Sequence, residues 1–121
     1  MPESAEPMPT PYEIKKHRTA NPYEEKFGYS RAVRKGPFVF VSGTTSIDTT
    51  TGQVLYPSSA YEQTLKIFLE IISAIEPWRN KRGRRIERSV WAGWPAATMV
   101  FGLGFVNPDM RVEIEADAVV L

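Results

Sequence analysis

Residues 111–120 restrict the fold more than any other stretch. Val112, Ile114, Ala116, Ala118 and Val120 alternate with Arg111, Glu113, Glu115, Asp117 and Val119. A period of two turns these sets to opposite faces of a strand, one apolar and suited to a core. The stretch from Pro95 to Val106 is also strand-like. Between the two, Asn107-Pro108-Asp109 reads as a turn, because proline sets φ and short acceptor side chains bond nearby amides. The polar face carries three carboxylates in a row, Glu113, Glu115 and Asp117. They repel one another unless cations or burial intervene. A solvated sheet face accounts for them. So does a cleft in which one acid, Glu115 in mid-strand, is a general acid/base.

A chain of 121 residues is one domain with a core of modest size. Its net charge of +1 sets up no field that would draw nucleic acid or a membrane. The lack of cysteine excludes disulfides, thiolate zinc sites and a cysteine nucleophile. A single histidine, His17, excludes a multi-histidine metal site, and its polar, proline-flanked setting is not that of a catalytic base. No apolar run approaches the roughly 20 residues that span a bilayer, and the acidic, proline-rich start is unlike a signal peptide. A cytoplasmic protein is expected, with a mitochondrial location left open.

Residues 1–22 hold half of the prolines and few large apolar side chains, which predicts a flexible N-terminal arm. The single domain then covers 23–121. Asn21, Pro22 and Tyr23 begin a turn, and Glu24 to Lys26 is a charged patch. Tyr29 to Val33 reads as a short strand, Lys35-Gly36-Pro37 as a tight turn, and Phe38 to Gly43 as a central strand. That strand ends in Ser42-Gly43-Thr44-Thr45-Ser46, small residues that let a ligand approach the backbone and whose amides and hydroxyls can hold an oxyanion. An ordinary turn has the same composition. Asp48 to Gly52 is a loop, and Val54 to Pro57 at most a brief strand. Ser58 to Glu76 is a helix, with Ser58 or Ser59 as N-cap and Glu62 at capping-box spacing from Ser59. Its apolar stripe is Tyr61, Leu65, Phe68, Ile72 and Ile75, widened by Thr64, Ile67 and Ile71, and faces a sheet.

The segment 77–94 differs from its surroundings. It holds six basic residues, among them Arg84 and Arg85, one acid, and all three tryptophans, with no period of either kind. Arg and Lys pair with phosphate and Trp stacks on bases, so a nucleic-acid loop is one reading.

The rest of the chain resembles the Rid family, also called YjgF or liver perchloric-acid-soluble protein. The resemblance lies in Phe27-Gly28-Tyr29-Ser30-Arg31-Ala32-Val33, Phe38 to Gly43, Asp48 to Gly52, Tyr61-Glu62-Gln63-Thr64-Leu65, Pro95 to Thr98 and Val112-Glu113-Ile114-Glu115-Ala116. It implies an α+β fold of the chorismate-mutase-like kind, a mixed sheet with two helices on one face, assembled as a homotrimer with small-molecule clefts between subunits. It implies hydrolysis of reactive enamines and imines without metal or organic cofactor. Glu115 would orient the water, and Tyr29, Ser42, Gly43 and Thr44 would line the substrate cleft. Other members of the family have been called ribonucleases or translation inhibitors, so a non-enzymatic ligand-binding or RNA-associated regulator is the alternative.

The chain departs from the family pattern twice. Where active deaminases carry an arginine that grips the substrate carboxylate, this chain has Ala97, and a methyl group does not replace a bidentate guanidinium. Carboxylate-bearing imino acids are therefore expected to be poor substrates. Second, a strand, loop and second helix need on the order of 35–45 residues, more than 77–94 supplies. Read one base later, codons for Pro77 to Ile86 permit Leu-Gly-Gly-Thr-Ser-Glu-Asp-Val-Val, which resembles what the family places after its first helix. A frameshift or misplaced splice junction is the corresponding reading. It makes the basic run accidental and nucleic-acid binding unexpected, and it predicts a weakly stable chain, a truncated product without activity or the closed trimer.

Overall fold

The computed structural model describes residues 13–78 and 96–120. In chain order the elements are β1 (Ile14–His17), α1 (Pro22–Phe27), β2 (Ala32–Lys35), β3 (Phe38–Thr44), α2 (Ala60–Ile75), a 3-10 turn (Glu76–Trp78) and β4 (Ile114–Val119). The strands form one sheet in the order β1-β2-β3-β4. The α+β class expected from the sequence is the one observed. Among the described residues every strand pairing is antiparallel, and α2 is the long helix that covers the sheet. No helix among them is long and apolar enough to cross a membrane.

Local chemistry accounts for the elements. β2 and β3 pair from Lys35↔Phe38, leaving Gly36 and Pro37 as the loop. Gly36 sits at φ 57°, a left-handed conformation that a tight hairpin needs and glycine adopts without strain. Ser59 caps α2, its side chain accepting from the Glu62 amide at 3.1 Å. The helix lays Ile67, Ile71, Ala74 and Ile75 on Ala32, Val39, Val41 and Trp78 to form the core. Val112, Ile114, Ala116, Ala118 and Val120 pack against that core from β4 and its flanks, so the period-two pattern is realised as a half-buried strand.

The helix stripe is turned relative to expectation. Ile67, Ile71 and Ile75 are buried as expected, but Tyr61 and Leu65 are exposed, together with Leu69 at 64%. α2 carries more apolar surface than one sheet contact covers, and Gln63 fixes which face turns inward. Its buried amide donates to the carbonyls of Tyr56 (3.0 Å) and Asp109 (2.8 Å) and accepts from the Arg111 amide (2.9 Å). These bonds also tie the helix to the 107–109 turn, where Asn107 Oδ1 accepts from the Asp109 amide at 2.9 Å.

Three further expectations are corrected. The arm expected over 1–22 is not an arm throughout. Ile14–His17 pairs with β2, an edge pairing made by backbone and needing little apolar sequence; residues 1–12 lie outside the described residues. The turn and charged patch at 21–26 are a helix. Asn21 accepts from the Tyr23 amide, Pro22 opens the first turn and Gly28 closes the helix at φ 70°. Residues 96–106 form no strand, and Met99, Val100, Phe101 and Leu103 are exposed. β3 takes the central place expected of it, between β2 and β4, and is buried on one face only. Val39 and Val41 enter the core, while Phe38 and Phe40 are about half exposed. The basic, Trp-containing run at 79–94 and its reading frame lie outside the described residues.

Candidate functional site

The site grows from an irregularity between β3 and β4. Val41 pairs with Ala116 and Thr44 with Ile114. Two residues, Ser42 and Gly43, therefore stand opposite the single residue Glu115. This is a β-bulge, which bends the strand and re-aims side chains. It also changes the phase of burial along β3: Val39 and Val41 are inside, then Thr44 rather than Gly43. Ser42 and Gly43 are left facing Glu115 on the outward side.

A cleft of about 470 Å³ opens there. Ser42, Gly43 and Thr45 line it, together with Glu113 and Glu115. The α1 cap Asn21, Tyr23 and Phe27 of α1, Tyr29, exposed Val106 and buried Met110 complete the lining. The Tyr23 and Phe27 rings stack, centroids 6.1 Å apart and planes 11° from parallel. Among the described residues the Glu113 and Glu115 carboxylates have no hydrogen-bond or ion-pair partner.

Behind the cleft lies a buried ion pair. Glu24, fully buried, accepts from Arg31 Nε at 3.4 Å and from the Thr19 amide at 2.8 Å, and also from the Thr19 hydroxyl. Arg31 donates through Nη1 to the Gly43 carbonyl (2.9 Å) and Thr44 Oγ1 (3.0 Å), and through Nη2 to the Tyr29 hydroxyl (3.1 Å). One guanidinium thus joins α1, the bulge and Tyr29. Every contact it makes is internal, so its charge is spent on Glu24 rather than offered to the cleft.

No protein-family model matches the chain. It is 37% identical to the uncharacterized protein SCO2049 of Streptomyces coelicolor, in a match covering 87% of this chain and 91% of that protein. The chain belongs to one family with that protein. The match runs over 125 residues, more than the 121 of this chain, so the Streptomyces protein carries residues inside the matched region that this chain lacks. Among solved structures the chain is similar to Rv2704 of Mycobacterium tuberculosis, a member of the highly conserved YjgF/YER057c/UK114 family. The TM-score is 0.64 at 26% identity, over 89% of this chain and 100% of that one. The fold is that of the YjgF family.

On this YjgF fold, Tyr29, Ser42, Gly43 and Glu115, singled out in the sequence, come together at one cleft. Thr44 does not. The bulge turns it inward, where it is buried, accepts from Arg31 and donates to the Ser42 carbonyl at 2.8 Å. The Ser42 hydroxyl donates to the Ser30 carbonyl at 2.7 Å, so it turns only acceptor lone pairs to a ligand. Ala97 is exposed and is not part of the lining. Sequence reasoning missed Glu113, which reads as one of several acids on a solvated face, and missed the α1 wall. The signal for α1 was present in Asn21-Pro22 followed by Glu24, Glu25 and a closing Gly28. Among the described residues no group of three or more His, Cys, Asp or Glu side chains is placed to hold a metal ion.

Proposed function

We propose that this protein is a Rid-like binder of small metabolites whose cleft takes an imine, enamine or related carbonyl-derived compound and hydrolyses it. The observation that carries the reading is the bulge. It sets Glu115 opposite Ser42 and Gly43, in a cleft that Tyr29 and the α1 residues Tyr23 and Phe27 also line. Glu115 accepts a proton from water as the water oxygen bonds to the C=N carbon. The nitrogen is protonated, the C–N bond breaks, ammonia leaves and the carbonyl forms. No redox partner or cofactor is needed for that balance. Tyr29, held by Arg31, closes the cleft over the ligand. The described lining offers a carboxylate no Lys, Arg or His, so imines that bear a carboxylate are poor substrates. The test is release of carbonyl product from an imine made in situ, with the Glu115→Gln variant as control.

We further propose that the chain is shortened between Pro77 and Trp94, the segment too short for the strand, loop and second helix. Assembly as the family-type homotrimer is impaired on this reading. Genomic sequence across the segment tests it. A second reading frame or nearby exon encoding the lacking helix is expected; an intact codon series with neither would overturn the proposal.

A further inference from the structure

The cleft is lined unlike a site for anions. Among the described residues its walls hold two carboxylates, three aromatic rings and no Lys, Arg or His. Glu113 and Glu115 are two residues apart on one side of the chain and have no partner there. The rings of Tyr23, Phe27 and Tyr29 line the same cleft. Aromatic faces attract cations, and best where water is displaced. Two rings already show that preference within the fold: Lys26 Nζ lies 5.3 Å from the Phe27 centroid and the Arg31 guanidinium 5.4 Å from the Tyr29 centroid. Neither cation is available to an anionic ligand from the lining. Arg31 is buried against Glu24, and Lys26 stands outside the cleft wall.

We infer that the cleft selects a small organic cation, an ammonium or iminium group without a carboxylate. The positive nitrogen sits between the two glutamates and the aromatic wall, and the alkyl part lies toward Val106 and Met110. A carboxylate in the same place meets two like charges and no donor fork. This inference rests on the cleft being the ligand site proposed above. It adds the charge of the ligand and gives Glu113 a role in recognition.

Three probes of one shape separate the outcomes: isobutylammonium, isobutanol and isobutyrate, each titrated into the ¹⁵N-labelled chain while the amides of Ser42, Gly43 and Glu115 are followed by NMR. Isobutylammonium is expected to bind about tenfold or more tightly than isobutanol, and isobutyrate not to bind. The Glu113→Gln/Glu115→Gln double variant is expected to lose that tenfold preference while isobutanol binding is unchanged. Phe27→Leu is expected to weaken the cation several-fold. If isobutanol or isobutyrate shifts the same amides with equal or higher affinity, charge selection is wrong and the cleft remains the site. If none of the three moves these amides, the cleft is not a ligand site and both readings fall.

Discussion

Gly43 lies under the carboxyl group of Glu113: a β-carbon on Gly43 would stand 3.1 Å from Glu113 Cδ. Glycine at the bulge therefore lets an acid lean over the strand into the cleft. The obstructing atoms belong to the end of a flexible side chain, so Gly43→Ala should displace Glu113 rather than the backbone. We predict a melting temperature within a few degrees of the parent and a several-fold loss of isobutylammonium affinity. A large stability loss with unchanged affinity would show that the contact serves packing instead.

The Glu24–Arg31 pair is buried on both sides. Removing one partner leaves an uncompensated charge in the interior, which costs about 3–5 kcal/mol. Domain stability is only about 5–15 kcal/mol. Arg31→Met and Glu24→Leu should each be strongly destabilised in urea, and the double variant less than the sum of the two. Additive losses would mean that the pair is not coupled.

The parts of this fold that were legible in the sequence are those set by side-chain period and local capping. The alternation at 112–120 and the Ser59 cap needed no knowledge of what they pack against. What was not legible depends on backbone pairing and on competition between faces. Ile14–His17 joins the sheet through main-chain bonds. Tyr61 and Leu65 lose the core to Ile67 and Ile71 because Gln63 bonds the chain at residues 56, 109 and 111. In the site, the small residues at 42–43 and the acid at 115 announced themselves. The bulge that separates Ser42 and Gly43 from Thr44 did not, since one extra residue in a strand leaves no mark on composition.

Ala97 is exposed and outside the cleft. We predict negligible acceleration of 2-aminoacrylate hydrolysis, followed as keto acid in an assay coupled to an amino-acid dehydratase. Ala97→Arg should not restore it, because position 97 is not part of the cleft lining. A rate matching that of an arginine-bearing relative would refute the substrate argument.

Two apolar surfaces are open to solvent: Tyr61, Leu65 and Leu69 on α2, and Phe38, Phe40 and Val119 on the other side of the sheet. Contiguous exposed apolar surface promotes association. We predict heterogeneous, concentration-dependent self-association by light scattering, reduced by Leu69→Lys. A clean trimer that melts cooperatively above about 60 °C, in the upper mesophile range, would contradict both this expectation and the shortened-segment reading.

The most direct test of the account is the rate at which isobutyraldehyde appears from its imine, generated from isobutylamine by an amine oxidase, with and without this protein. Acceleration over spontaneous hydrolysis is expected, with loss of about a hundredfold in Glu115→Gln, the size expected for a general acid/base, and isobutylammonium affinity lowered only a few-fold. No acceleration by the parent chain, or an unchanged rate in Glu115→Gln, would contradict it.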